Sequence, residues 1–310
     1  MSKRHLPHKQ AKQQQKPVAM KQQASPELKA WIIAQAQAGC RPEDVLKAMM
    51  DRGWQEDVAV AAMEESLAEH LKQQQGALAA AGLAPGQLPA GDKPLPGPLL
   101  EGSPSRIWAH DKHVDVLLTL QLPRVVVFGN FLSEQECEEM KRLAGLRLSR
   151  SETVVNETGG SEVNEARTSD GMFFERGEHE VCARIEKRIE ALLRWPISHG
   201  EGLQVLRYRP GAEYKPHFDY FDPAQPGAKT ILARGGQRVG TLVMYLNSPD
   251  KGGATTFPDV GLEVAPVRGN AVFFSYDRPD PATRTLHGGA PVLEGEKWVA
   301  TKWLREGVFV

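Results

Sequence analysis

The N-terminal third of the chain carries apolar residues at helical spacing. Ser25 followed by Pro26 is typical of a helix start, and Gly39 of a helix end. Further helical patterns cover 42–52 and 55–68. The apolar residues that three such helices would share are Trp31, Leu46, Met50, Trp54 and Met63. We therefore predict a small three-helix module over residues 25–72.

The C-terminal two thirds of the chain have a different sequence pattern, in which short apolar runs are bounded by Gly, Pro, Asn and Asp. A strand is predicted in PRVVVFGNF, a capping box from Ser133 to Glu136 opens a helix to about Ala144, and another helix spans 179–193. The five strands predicted after these helices are LQVLRYR (203–209), GTLVMYLN (240–247), GLEVAPV (261–267), NAVFFSY (270–276) and KWVATKWL (297–304). Such spacing predicts an α+β fold class: a C-terminal double-stranded β-helix (jelly roll) with supporting helices, plus the small N-terminal three-helix module.

Two segments lack the apolar content of a folded unit. Residues 1–24 are rich in Gln and Lys, which predicts a disordered basic tail. Residues 73–105 are rich in Pro, Gly and Ala, which is linker composition. The remaining 106–310 are predicted to form one catalytic domain.

Charge and cysteine content exclude several classes of protein. The chain has 38 Lys and Arg against 39 Asp and Glu, so no overall field favours nucleic acid or an anionic membrane surface. No run of about 18 apolar residues is present, so we predict no membrane span, and glutamines stand where a signal peptide needs an apolar segment. The three cysteines follow neither disulfide nor zinc-site spacing, which predicts a reducing, cytoplasmic compartment.

The stretch HFDYFDP contains the first candidate ligands. In a strand, His217 and Asp219 emerge on the same side, where both side chains can hold one small object. His287, 68 positions after Asp219, adds a second imidazole. Two histidines and one carboxylate on one face of a metal are the ligand set of non-haem Fe(II) oxygenases. Zinc accepts the same ligands, so these residues alone leave the metal open.

Lys297 helps to distinguish an Fe(II) oxygenase site from a zinc site. It lies ten positions after His287, and strand periodicity places it on one face with Val299, Thr301 and Trp303. If that face is the interior of a barrel, the ammonium needs an anionic partner. The far carboxylate of 2-oxoglutarate is such a partner.

The segments LQVLRYRPGAEYKPHFDYF, GGATTFP and LHGGAPVLEGEKWVATKW resemble the prolyl 4-hydroxylase family of Fe(II)- and 2-oxoglutarate-dependent dioxygenases, especially its plant, algal and bacterial members. The resemblance covers about 125–304. It implies His217, Asp219 and His287 as metal ligands and Lys297 as the partner of the far carboxylate. The further residues it implies are Tyr208 and Thr255 for the same carboxylate, and Arg167, Ser169, Glu201, Tyr214, Arg238 and Trp303 for the substrate.

The resemblance also implies an activity: hydroxylation of a proline in a peptide or protein, coupled to oxidative decarboxylation of 2-oxoglutarate to succinate and CO2. Fe(II), 2-oxoglutarate, O2 and L-ascorbate as reductant are the implied cofactors and co-substrates. A cytoplasmic bacterial enzyme is expected. Which ring carbon is hydroxylated stays open at this point.

Three other readings use the same residues. A free amino acid hydroxylase would have an identical metal site. Nucleic-acid demethylases of the superfamily bind 2-oxoglutarate through an arginine, and Lys297 disfavours them. A catalytically silent peptide-binding module is disfavoured because peptide binding needs no buried lysine.

The N-terminal helices resemble the ubiquitin-associated type of module and are a candidate for binding another protein.

Overall fold

The computed structural model describes residues 24–37, 40–80, 94–154, 161–163 and 167–310. The predicted tail 1–24 therefore lies outside the described residues except for Ala24. The chain divides into two compact units, 1–85 and 86–310.

The α-helices of the described residues are α1 (Pro26–Gln37), α2 (Pro42–Met50), α3 (Glu56–Ala80), α4 (Glu134–Gly145), α5 (Glu180–Leu193) and α6 (Ala228–Leu232). The strands are β1 (Arg106–Ala109), β2 (Lys112–Leu120), β3 (Arg124–Gly129), β4 (Ser149–Arg150), β5 (Glu152–Val154), β6 (Ser161–Val163), β7 (Asp170–Phe174), β8 (Leu203–Tyr208), β9 (Tyr214–His217), β10 (Arg238–Tyr245), β11 (Lys251–Gly252), β12 (Thr255–Phe257), β13 (Leu262–Val264), β14 (Ala271–Ser275), β15 (His287–Gly289), β16 (Val292–Glu294) and β17 (Lys297–Arg305).

In the N-terminal unit, α1, α2 and α3 pack around a small apolar cluster. Ile32, Met49 and Ala59 are buried at its centre, with partly buried tryptophans around them. Met50, predicted to be shared between the helices, is instead 43% exposed, and its neighbour Met49 faces inward. The likeness to a ubiquitin-associated module stays a prediction.

The structure describes only the two ends of the predicted linker, 73–80 and 94–105, and its middle part, 81–93, lies outside the described residues. Helix α3 continues to Ala80, so 73–80 is helical because its Gln and Ala residues are good helix formers. At the other end, Leu95 packs against the core of the C-terminal unit and the Gly97 amide donates to the Leu193 carbonyl at 2.9 Å. Within the described residues, 94–105 thus belongs to the catalytic unit.

The C-terminal unit is a mixed α/β structure with large antiparallel sheets. A nine-stranded sheet has the order β1-β2-β3-β14-β10-β17-β8-β7-β4, and a four-stranded sheet has the order β13-β12-β15-β9. The smaller described pairs are β11-β16 and β5-β6. All five strands predicted after the helices are confirmed, as are the first predicted strand and both helices.

The two faces of the nine-stranded sheet bury different cores. One face packs against α4 and α5, and the other shares a second cluster with the four-stranded sheet. The strands alternate between them: Val126 and Phe128 lie in the first cluster, whereas Val125 and Val127 lie in the second. The capping box of α4 is present, since Ser133 Oγ accepts from the Glu136 amide and the Glu136 carboxylate accepts from the Ser133 amide.

No helix among the described residues is both long enough and apolar enough to cross a membrane.

Candidate metal and co-substrate site

The two predicted histidine ligands lie on neighbouring strands. His217 ends β9 and is the register partner of His287, which begins β15. Their ring centroids are 4.4 Å apart. Asp219 follows the end of β9 in a bend. The predicted geometry, with His217 and Asp219 on one continuous strand, is therefore corrected: the bend after His217 brings the carboxylate to the histidines.

The three side chains present their ligand atoms to one point. Asp219 Oδ1 is 3.5 Å from His217 Nε2, and Asp219 Oδ2 is 3.4 Å from His287 Nε2. Each Nδ1 lies 2.9 Å from a backbone carbonyl, of Lys215 for His217 and of Thr285 for His287. A carbonyl only accepts, so each Nδ1 carries the proton and each Nε2 keeps its lone pair. The three ligand atoms lie within 4.8 Å of one another, which fits one divalent ion with the donor set of non-haem Fe(II).

The electrostatics of the site keep Asp219 and His287 in their metal-binding protonation states. Burial alone would raise the pKa of Asp219, but the imidazoles of His287 and His217 hold it well below its usual range. Burial lowers the pKa of His287 to about 4. A metal needs an ionised carboxylate and a neutral imidazole, and Asp219 and His287 are in these states near neutral pH.

The Asp219 carboxylate is oriented by a pair of hydroxyl groups, those of Thr241 and Tyr276, which the sequence analysis did not predict. Thr241 Oγ1 donates to Asp219 Oδ2 at 2.7 Å and lies 3.1 Å from the Tyr276 hydroxyl. Thr241 is on β10 and Tyr276 follows β14, so only the packing of these strands brings them to the ligand. Such partners orient a ligand and typically matter nearly as much as the ligand itself.

Lys297 lies in the same cavity as the histidines. Its side chain is buried, with Nζ over the rings of Tyr208 at 5.4 Å and Tyr245 at 5.9 Å. Burial lowers its pKa to about 8. The ammonium makes no ion pair with any residue that the structure describes. A buried cation without an anion is costly, and a carboxylate of a bound molecule removes that cost.

Thr255 and Tyr208 complete the lysine end of the cavity. Tyr208 is the register partner of Lys297 across β8 and β17. Thr255 accepts a hydrogen bond from the hydroxyl of the fully buried Tyr245 at 2.8 Å, which leaves the Thr255 hydroxyl proton for a ligand. This end can therefore bind a carboxylate through one cation and neighbouring hydroxyls.

Three of the predicted substrate residues line the same cavity. Tyr214 stacks on His217 with ring centroids 3.7 Å apart, and the Arg167 guanidinium lies 4.6 Å from the centroid of the tyrosine ring. Trp303 is 6% exposed, and its Nε1 has no hydrogen-bond partner among the described residues. The predicted residues that line the cavity are Arg167, Tyr208, Tyr214, His217, Asp219, Thr255, His287, Lys297 and Trp303.

The other three predicted substrate residues do not line this cavity. Glu201 is buried and accepts hydrogen bonds from Arg238 and from Arg305, each at 2.7 Å, so its carboxylate is used inside the protein. Ser169 donates to Ser151 Oγ at 3.0 Å. Arg238 packs over the Trp303 ring at 4.0 Å. The structure therefore gives Glu201 and Arg238 the role of supporting the wall behind Trp303.

The bend that carries Asp219 is also fixed by a side chain that sequence reasoning missed. Gln237 Oε1 accepts from the Phe221 amide at 2.8 Å, and Gln237 Nε2 donates to the Phe221 carbonyl at 2.6 Å. The Phe221 ring contacts the guanidinium groups of Arg238 and Arg305, which lie 4.7 and 5.1 Å from its centroid. A lone Gln before a strand gives no signal of such a role.

The fold and the site together are those of a 2-oxoglutarate- and Fe(II)-dependent oxygenase. A family model described as the 2OG-Fe(II) oxygenase superfamily matches residues 203–305. Prolyl 4-hydroxylase 1 of Arabidopsis thaliana is 41% identical over 227 residues, which cover 64% of this chain and 77% of that protein. Prolyl 4-hydroxylase 5 of the same plant is 41% identical over 58% of this chain and 68% of its own length.

A solved structure also resembles the chain. It is the viral collagen prolyl hydroxylase vCPH from Paramecium Bursaria Chlorella virus-1, in a 2OG complex, with 31% identity, a TM-score of 0.45, and coverage of 58% of this chain and 95% of that chain. On the sequence likeness to the curated relatives, the chain belongs to the prolyl 4-hydroxylase family.

Proposed function

We propose that this protein hydroxylates a proline residue in a peptide or protein and, in the same turnover, oxidatively decarboxylates 2-oxoglutarate to succinate and CO2. The observation that carries the proposal is the shared cavity of Lys297 and the His217, Asp219 and His287 cluster. A metal site alone fits several chemistries, but a buried ammonium beside it that pairs with no carboxylate of the described residues fits a dicarboxylate that also reaches the metal. Membership of the prolyl 4-hydroxylase family supports proline as the target.

The residues of the site divide the work. His217, Asp219 and His287 would hold Fe(II), which, when bound, supplies the activation of O2 and the oxidation of an unactivated C–H bond. Lys297 would bind the far carboxylate of 2-oxoglutarate, with Thr255 donating its hydroxyl proton to the same group. Held there, the co-substrate directs its 2-oxo acid end at the three ligands, and positioning of this kind is a main contribution of the protein to rate.

The opposite end of the cavity would receive the target proline. Tyr214, which stacks on His217, and Trp303 both line the cavity and present aromatic surface to it. An apolar ring bound against this surface displaces water from the reacting centre, which protects the oxidant from side reactions. The Trp303 indole N–H, which is buried and has no partner among the described residues, would donate to a backbone carbonyl of the peptide.

Anaerobic titration of the Fe(II)-loaded protein with 2-oxoglutarate tests the co-substrate assignment through the visible metal-to-ligand charge-transfer band. Oxygen is then added with a proline-rich peptide or, in a separate reaction, with free proline, and the product mass is measured. A band followed by a gain of one oxygen on proline establishes the proposal. A band with oxygen added only to free proline would favour the free amino acid hydroxylase, and no band would favour the silent peptide-binding module.

The proposal also covers the type of fold, the reductant, the cellular location and the role of the N-terminal helices. The two antiparallel sheets that share one apolar cluster support a double-stranded β-helix. L-ascorbate is proposed as the reductant that restores Fe(II) after uncoupled turnovers. The three cysteines are free, and two of them, Cys137 and Cys182, are buried, which supports a cytoplasmic location. The N-terminal helices are proposed to bind another protein.

A further inference from the structure

Beyond the cavity, one row of side chains continues across the nine-stranded sheet. Phe173 on β7 is the register partner of Gln204 on β8, which in turn is the partner of Thr301 on β17. Thr301 is the partner of Val243 on β10. Directly opposed residues of antiparallel strands point to the same face, so Phe173 lies on the face that contains the metal cavity, which Thr301 and Val243 line.

The neighbours of Phe173 confirm its direction. Met172 and Phe174 are buried in the opposite core, among the helices, whereas Phe173 is 48% exposed. Its ring centroid is 6.4 Å from that of Trp303, which lines the cavity. Phe173 is therefore an exposed apolar side chain that continues the Trp303 wall away from the metal.

The side chain between the cavity and Phe173, that of Gln204, is fixed by a hydrogen bond to a packed arginine. Gln204 is buried and accepts from Arg167 Nη2 at 2.8 Å, and Arg167 is itself packed on Tyr214 beside the metal ligands. The strand order β17-β8-β7 places Phe173 two strand spacings from Thr301. At about 4.8 Å per spacing this is roughly 10 Å.

That separation matches the repeat of an extended proline-rich chain. A polyproline II helix has three residues per turn and a rise of about 3.1 Å, so residues three apart face the same way about 9 Å from each other. A peptide whose target proline lies beside Thr301 and whose chain crosses β8 would therefore place the residue one turn away beside Phe173.

We propose that Phe173 forms a second subsite, which binds the side chain three residues from the target proline and prefers proline or another apolar residue there. This inference rests on the proposed function and extends it to the class of substrate: an extended peptide with apolar residues at intervals of three. Tyr or Leu at position 173 would keep an apolar surface, whereas Ala would remove it.

The test compares three peptides with one central target proline. One has prolines three residues to either side, the second has serines at those positions, and the third has its flanking prolines two residues away. The wild-type enzyme is expected to hydroxylate the first peptide with a kcat/KM about tenfold above the other two. Phe173→Ala should reduce the difference to less than twofold, and Phe173→Tyr should restore it.

Leu117→Ala is the matched control, because Leu117 on β2 is also an exposed apolar side chain, 56% exposed, and is not part of the row. It should keep the wild-type preference. KM for 2-oxoglutarate should stay unchanged in all variants. Equal rates on the three peptides, or a preference that survives Phe173→Ala, would overturn the subsite and leave the proposed function standing. Conversion of 2-oxoglutarate to succinate with no oxygen added to any peptide would instead overturn the proposed function.

Discussion

Replacing Lys297 by methionine is expected to stabilise the metal-free, ligand-free protein while it removes the affinity for 2-oxoglutarate. Methionine has a similar length and no charge. The Lys297 side chain is 4% exposed, and burial lowers its pKa from 10.5 to about 8. Since one pKa unit corresponds to about 1.4 kcal/mol, the charged ammonium costs on the order of 3 kcal/mol in the empty cavity.

The pH dependence of this cost has a definite sign. Because the pKa of Lys297 is lower in the folded protein, the unfolded chain binds more protons between pH 8 and 10.5. The contribution of this group to the free energy of unfolding therefore rises with pH through that window, and the cost is fully present below about pH 8. The stability gained by Lys297→Met should be largest at pH 7 and should vanish towards pH 10.5.

Lys302, on the same strand, provides a matched control. It is also buried, but its ammonium pairs with the buried carboxylate of Glu186 at 2.5 Å. Lys302→Met leaves that carboxylate without its partner and should destabilise the protein by about 3 to 5 kcal/mol. Urea unfolding at pH 7 and pH 9.5 measures both variants, and calorimetric titration measures 2-oxoglutarate binding.

The reasoning about Lys297 would be refuted by a loss of stability comparable to that of Lys302→Met, because Lys297 would then have an internal partner. Unchanged affinity for 2-oxoglutarate in Lys297→Met would refute the assignment of the co-substrate.

Four further outcomes are expected. His287→Ala and Asp219→Ala should abolish Fe(II) binding in calorimetric titrations, whereas Lys297→Met should keep it. Thr241→Val should weaken Fe(II) binding about 10- to 100-fold and Thr241→Ser should restore it, because the hydroxyl orients the Asp219 carboxylate; equal affinities would contradict this role. The affinity of the free enzyme for 2-oxoglutarate should fall about tenfold per pH unit above pH 8, as Lys297 loses its proton, and a flat profile there would contradict it. Removal of 1–85 should leave a cooperatively folding protein in thermal melts, since 86–310 is a compact unit with its own cores.

Local sequence alone predicted eight of the described elements of the C-terminal unit, namely α4, α5, β3, β8, β10, β13, β14 and β17. Short apolar runs bounded by turn residues predicted five strands of the nine-stranded sheet, β3, β8, β10, β14 and β17, whereas β1, β2, β4 and β7 were not predicted. The capping box at Ser133 located the start of α4, because its hydrogen bonds join residues three apart. The shared face of Lys297, Val299, Thr301 and Trp303 also followed from period two, and all four line the cavity.

The sequence also identified the residues that meet at the metal site, through their types and through the family resemblance. His217, Asp219, His287 and Lys297 are residue types that rarely gather without a ligand. The route by which they meet was not predicted correctly, since Asp219 reaches the site from a bend and not from a continued strand.

Only the tertiary structure decided which polar residues support the site and which face it. Thr241, Tyr245 and Gln237 act through contacts across strands and loops, and Glu201 is used by two arginines inside the protein. These contacts depend on register and on loop paths, which are fixed by long-range packing. A single sequence shows local periodicity and the chemistry of each residue. Which residues of distant segments contact each other depends on the free energy of the whole packed unit, and only the tertiary structure shows it.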